Sequence, residues 1–183
     1  MNRGVAAGVV VALGAFSPAA LAVEREHHLG VDAGASLLVV GGQSSPEVGA
    51  GIGAHWTYGL SDALNLMVEA AGSRLAVNEA QGASQPHVQP AWMANADVGI
   101  GYVFDVMQWV PYAGLLVGGY ALSGGTIQGA KVLPGAAFAL GLDYRFGRSL
   151  AAGISIRQHM LTEVSTYPSF TLAFARLEYT WGW

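Results

Sequence analysis

Residues 48–60 of this chain, VGAGIGAHWTYGL, alternate without a break. Val48, Ala50, Ile52, Ala54, Trp56, Tyr58 and Leu60 fall on one side, and Gly49, Gly51, Gly53, His55, Thr57 and Gly59 on the other. A helix needs apolar residues three and four apart, whereas a period of two is the signature of a strand with one apolar face. The same period returns along the chain. It sets Leu64, Leu66 and Val68 against Asn65, Met67 and Glu69, and Trp92, Val98, Ile100, Tyr102 and Phe104 against Asn95, Asp97, Gly99 and Gly101. It sets Phe138, Leu140, Leu142, Tyr144 and Phe146 against Gly141, Asp143 and Arg145. It sets Leu150, Ile154, Ile156 and Met160 against Ser155, Arg157 and His159. At the end it sets Leu177, Tyr179, Trp181 and Trp183 against Arg176, Glu178 and Thr180. A weaker first strand places Asp32 and Ser36 opposite Val31 and Leu37, and residues 109–122, WVPYAGLLVGGYAL, form a strand whose two faces are both apolar or glycine. The reading is eight strands.

Eight alternating strands fit a soluble barrel or a membrane barrel, and the two differ in which face points out. Charged residues make up only 11% of the chain against a usual quarter or so, and hydrophobic residues 52%. The non-apolar face is mostly Gly, Ala and Ser, which is a poor water-facing exterior but fits a narrow lumen. Eight tilted strands leave room inside for modest side chains only, so the large apolar face is expected to look outward, into lipid. The connections agree. Short turns at 59–63, 104–109 and 146–150 alternate with longer or more polar loops at 40–47, 77–90, 123–133 and 162–169, the asymmetry of an outer-membrane barrel. Residues 1–22 have a positive start at Arg3, an apolar run from Val5 to Phe16 and a small-residue site at Ala20–Ala22, which together read as a secretory signal peptide. Its removal takes Arg3 away, so the formal net charge of −4 becomes −5, and residues 23–28, VEREHH, then form a polar leader. The predicted fold is all-β: an eight-stranded up-and-down antiparallel transmembrane β-barrel over residues 23–183.

The aromatic residues cluster at strand ends. Trp56, Tyr58, Tyr102, Phe104, Trp109, Tyr144 and Phe146 lie beside the short turns and form one girdle with the end of the last strand, while Trp92 and Tyr120 mark a sparser girdle at the opposite end. Aromatic rings favour the headgroup boundary. The alternate Leu177, Tyr179, Trp181 and Trp183 resemble the C-terminal signal by which the barrel-assembly machinery reads outer-membrane barrels. In architecture the chain resembles the small eight-stranded outer-membrane barrels of the OmpA-transmembrane and OmpX type. VPYAGLLVGGY (110–120) is similar to their Pro-Tyr-x-Gly segment, with Leu116 where a small inward residue is expected. That resemblance implies a Gram-negative-type cell envelope, outer-membrane lipids and lipopolysaccharide as surroundings, assembly machinery and periplasmic chaperones as partners, and a monomer.

Inward-facing charges are the candidate site. Asp32, His55, Glu69, Asp97, Arg157, Arg176 and Glu178 fall at similar depth, and unpaired charges in a low-dielectric lumen are expensive, so a paired cluster is expected. It reads as a structural plug; the alternative is a gate or selectivity site in a narrow pore for small solutes or ions. A lipid A-modifying enzyme is the third reading, since His159 and Ser155 share a face with Glu69 or Glu178 to orient the histidine, but no local motif of such enzymes is present. No enzyme activity, cofactor or metal is expected; His27-His28 alone make a weak metal site. The chain has no cysteine and a single lysine, which excludes disulfides and thiolate sites and leaves no basic patch for nucleic acid. A structural or surface-interaction role is the favoured reading.

Overall fold

The computed structural model describes residues 25–41, 46–76, 89–104, 108–163, 165–167 and 169–182; the signal peptide read over 1–22, most of loop 77–90 and Trp183 lie outside the described residues. The chain runs up and down as β1 (His27–Val39), β2 (Glu47–Gly59), β3 (Leu64–Leu75), β4 (Trp92–Val103), β5 (Trp109–Ser123), β6 (Ala130–Arg145), β7 (Leu150–Leu161) and β8 (Ser169–Trp181). Each strand pairs with its sequence neighbours, and β8 pairs antiparallel with β1, so the sheet is a closed barrel. In hydrocarbon that closure is required, because no water is present to satisfy an open edge.

The register fixes the shape. A path across the strands from His27 runs through Tyr58, Leu66, Ile100, Leu115, Phe138, Gln158 and Thr171 and returns to β1 at Leu37, ten residues beyond its start. With strands about 4.8 Å apart and a rise of about 3.3 Å per residue, this stagger tilts the strands by about 40°, and each residue climbs about 2.5 Å along the barrel axis.

The two faces separate as the period of two requires. Leu29, Val31, Ile52, Val98, Ile100, Leu115, Leu140, Ile154, Ile156 and Leu177 are exposed on the outside. Asp32, His55, Glu69, Asp97, Arg157, Arg176 and Glu178 are buried inside. In β5, where the sequence is ambiguous, the structure turns Val110, Tyr112, Leu116, Tyr120 and Leu122 inward and Trp109, Leu115 and Val117 outward. Tyr112 finds room because its register partner is Gly141, where a Cβ would stand inside the phenol ring. Above β5, Gly124 and Gly125 adopt φ of 70° and 62°, the left-handed region that side chains resist.

Three expectations need correction. Tyr120 is 0% exposed and points into the lumen, so it is no part of an outer girdle. Residues 130–133 belong to β6 and not to a loop, because that strand pairs with β5 as far as Ala130. His27 and His28 open β1, paired to β2 and β8, and are not a polar leader. The lumen is also bulkier than a face of small residues suggests. Its loop end holds a dry cluster of Leu38, Val40, Leu75, Met93, Leu122, Leu161, Tyr167 and Phe170, with Tyr120, Leu172 and Phe174 beneath. The glycines give the space back: Gly49, Gly51, Gly53, Gly99, Gly101, Gly114, Gly118 and Gly135 share the inward parity of β2, β4, β5 and β6.

Candidate functional site

The charged side chains meet below the apolar cluster because neighbouring strands bring them into register: His55 pairs with Glu69, Glu69 with Asp97, and Asp32 with Arg176. Arg157, from β7, crosses the lumen. Its Nε lies 2.8 Å from Glu69 on β3, and its Nη2 3.4 Å from Asp32 on β1. Asp32 in turn accepts from His55 Nδ1 at 2.9 Å. His55 Nε2 stands 3.0 Å from Glu178, beside the Arg176 guanidinium. Arg176 donates to Glu178 at 2.9 Å and to the Tyr112 hydroxyl, its Nε lies 3.4 Å from Asp143, and its guanidinium sits 4.8 Å from the Tyr112 ring centre. All seven residues picked out by depth are buried. Six join one continuous chain of contacts, and Asp97 sits to its side with Asn95.

Further side chains join this cluster beyond those seven. His28 Nδ1 donates to Glu178 at 2.8 Å, and extending the β1 alternation back from Asp32 through Gly30 would have reached it. Tyr112 and Asp143 complete the Arg176 environment; Tyr112 is hidden by the ambiguity of β5, whereas the alternation already places Asp143 among the inward-facing charges. Higher up, Tyr120 shares a 2.9 Å hydrogen bond with His159 Nδ1. That nitrogen is therefore engaged by a phenol and not by Ser155. Glu69 and Glu178 face Arg157 and the pair His28–His55. Among the described residues no group of three or more His, Cys, Asp or Glu side chains converges to hold a metal.

At the short-turn end the lumen opens into a cavity of about 40 Å³ available to water, lined by Asn65, Val103, Val110, Tyr112, Asp143 and Arg176 among others. Glu178 and His28 also line it. Outside, Trp56, Tyr58, Tyr102, Phe104, Trp109, Tyr144 and Phe146 surround this end, packed in pairs such as Tyr102–Phe104 at 4.6 Å and Trp109–Tyr144 at 4.9 Å. Tyr179 and Trp181 stack at 5.9 Å with Leu177 exposed above them, and His27 lies over Trp181 at 5.3 Å. Charged groups inside a wall of outward apolar side chains, ringed by aromatics, make a barrel built for lipid and not for water.

The sequence matches the family described as outer membrane protein beta-barrel domain over residues 8–176. The fold is similar to the crystal structure of Neisserial surface protein A, with a TM-score of 0.62 at 10% identity, covering 86% of this chain and 97% of that one. It is also similar to the N-terminal barrel domain of Pseudomonas aeruginosa OprF, with a TM-score of 0.58 at 14% identity over 86% and 98% of the two chains. Ail, the attachment invasion locus protein of Yersinia pestis, is comparable, with a TM-score of 0.58 at 14% identity over 86% and 99%. No curated protein matches in sequence.

Proposed function

The chain belongs to the outer membrane protein β-barrel family, and from that premise we propose that it is a non-catalytic, closed barrel, a monomer whose dealings with its surroundings are made by its loops and its lipid-facing wall. The observation that carries this reading is the stacking of two closures in one lumen. The dry cluster around Leu38, Leu122 and Phe170 lies above the ion-paired level where Arg157 spans Asp32 and Glu69. An ion entering from the loop end passes the buried Glu47–Gln89 pair and then meets apolar side chains, where loss of its hydration costs far more than thermal energy. One entering from the turn end meets a small cavity lined by Arg176, held against Tyr112 and Glu178. Ser155 Oγ and His159 Nε2 have no hydrogen-bond partner, so the two are not joined as a nucleophile and its base, which supports a non-catalytic reading. Leu177, Tyr179, Trp181 and Trp183 are proposed to guide the chain to the barrel-assembly machinery after passage with periplasmic chaperones.

The alternative, a narrow pore for small solutes or ions, is favoured by the cavity at the short-turn end alone. Planar-bilayer recording of the refolded protein separates the two. The closed reading expects no conductance steps above background, and reproducible unitary steps would replace it with the pore.

A further inference from the structure

At the short-turn end the lumen keeps a cavity of about 40 Å³, room for about three water-sized groups. The short turns of outer-membrane barrels face the periplasm, so that is the side from which it is reached. Its wall changes character along four consecutive strands. β3 presents Asn65, β4 Val103, β5 Val110 and β6 Asp143. Met67 completes the apolar part, its sulfur standing where side chains on Gly101 and Gly114 would be. A polar group thus stands at each end of an apolar arc. Carried through the register and the stagger, Asn65 and Asp143 come to the same height on the barrel axis to within about 2 Å.

Both ends are unspent. Asn65 is 6% exposed, and its Oδ1 has no hydrogen-bond partner. Asp143 is buried to the same degree, and its Oδ1 has none either. Arg176 Nε lies 3.4 Å from that oxygen without bonding to it, while the terminal guanidinium nitrogens serve Tyr112 and Glu178. Arg145, also on the cavity wall, has Glu26 3.9 Å away. Buried polar groups left unpaired are costly, so the cavity favours an occupant that supplies what they lack. A carboxylate oxygen calls for a donor, and a cationic donor bonds it most strongly. An amide carries both donors and an acceptor, which suits a hydroxyl. The valines and Met67 between them suit carbon.

We propose that the turn-end cavity binds a short amino alcohol of the ethanolamine class, its ammonium on Asp143, its hydroxyl on Asn65 and its carbons along Val103 and Val110. The site goes beyond the closed reading and does not rest on it, because the ligand enters and leaves by the turn end.

The refolded protein in detergent micelles is titrated at neutral pH with three probes, and its backbone and Asn side-chain amides are followed by NMR. Ethanolamine is the expected ligand, ethylene glycol replaces its ammonium by a neutral hydroxyl, and ethylamine lacks its hydroxyl. Wild type should show saturable shifts centred on Asn65, Val103 and Val110. Ethylene glycol should bind on the order of tenfold more weakly than ethanolamine, and ethylamine about fivefold more weakly. Asp143→Asn should erase the preference for ethanolamine over ethylene glycol, and Asn65→Leu its preference over ethylamine. Heat-modifiable gel migration checks that each variant is folded. Should Asp143→Asn fail to fold, the three probes on wild type and the Asn65→Leu result decide. Absence of saturable shifts, which would leave the cavity to water, overturns the site. Ethylene glycol bound as tightly as ethanolamine, or an unchanged preference in Asp143→Asn, overturns it as well. Ethylamine bound as tightly as ethanolamine by wild type, or an unchanged preference in Asn65→Leu, overturns the assignment to an amino alcohol.

Discussion

Arg157 is 1% exposed and its guanidinium is shared between Asp32 and Glu69, two acids that would otherwise face each other across a dry lumen. Breaking a buried pair by removing one partner leaves an uncompensated charge and costs about 3–5 kcal/mol. Arg157→Gln keeps length and some donors but not the charge. It should lower the unfolding free energy of the barrel, from urea titrations in vesicles, by that order, whereas an unchanged value would mean that the lumen is wet enough to solvate both carboxylates. Above the wall the electrostatics are different. Glu163 accepts from Lys131 and, at 3.0 Å, from Thr166, and these bonds hold its carboxyl below the ordinary 4.5. Because the folded value is lowered, the support this contact gives to the 162–167 loop is present at neutral pH and is lost only as pH falls through that lowered value. Lys131→Ala should bring the Glu163 titration, followed by NMR, back toward 4.5. At this scale the sequence told which charges face inward, since parity alone decides it. It did not tell which charge meets which. Arg157 reaches Asp32 through a stagger of ten residues around the barrel, and no local pattern encodes that.

Strands differ in how openly they declare their faces. β2 and β4 alternate large with small, and their orientation could be read directly. β5 carries Leu115, Leu116 and Val117 in succession, so parity had nothing to sort, and only pairing with β4 and β6 decides it. The decision has a measurable consequence. Leu115 is 64% exposed near the middle of the apolar band, while Leu116 is 2% exposed inside. Leu115→Arg therefore places a charge in the bilayer and should cost about 2–4 kcal/mol in urea titrations of vesicle-inserted protein. An effect that vanished in detergent micelles but stayed in vesicles would fit the same placement; a cost near zero in vesicles would put Leu115 inside. The boundary of β6 is hidden in the sequence for a related reason. Ala130, Lys131 and Val132 resemble loop residues by composition, and they become strand because β5 is there to pair with them. Loop and turn asymmetry, by contrast, depends only on local length and polarity, and it was legible from the start.

For the molecule as a whole, the bulky inward residues matter more than the charges the sequence drew attention to. Leu38, Leu75, Met93, Leu122, Leu161 and Phe170 each continue the inward parity of a strand past its last polar position, but an apolar residue inside and one outside look alike until the sheet closes. On the proposed closed reading, it puts two barriers in series, an apolar cluster above and an ion-paired bridge below. Barriers in series are each sufficient, so opening either one alone should leave the barrel silent. Leu122→Ser with Phe170→Ser admits water to the upper half but leaves Arg157 spanning the level beneath. Arg157→Ser clears that bridge but leaves the dry cluster. The three changes together should produce conductance in planar bilayers. Among the described residues the buried Asp, Glu, Lys and Arg side chains would then be Asp32, Glu47, Glu69, Asp97, Asp143 and Glu178 against Arg176, and six acids against one arginine should make the current cation-selective, as read from the reversal potential across a potassium chloride gradient. Current from Leu122→Ser with Phe170→Ser alone would show that the charged level already passes ions, and the closure would then belong entirely to the apolar cluster.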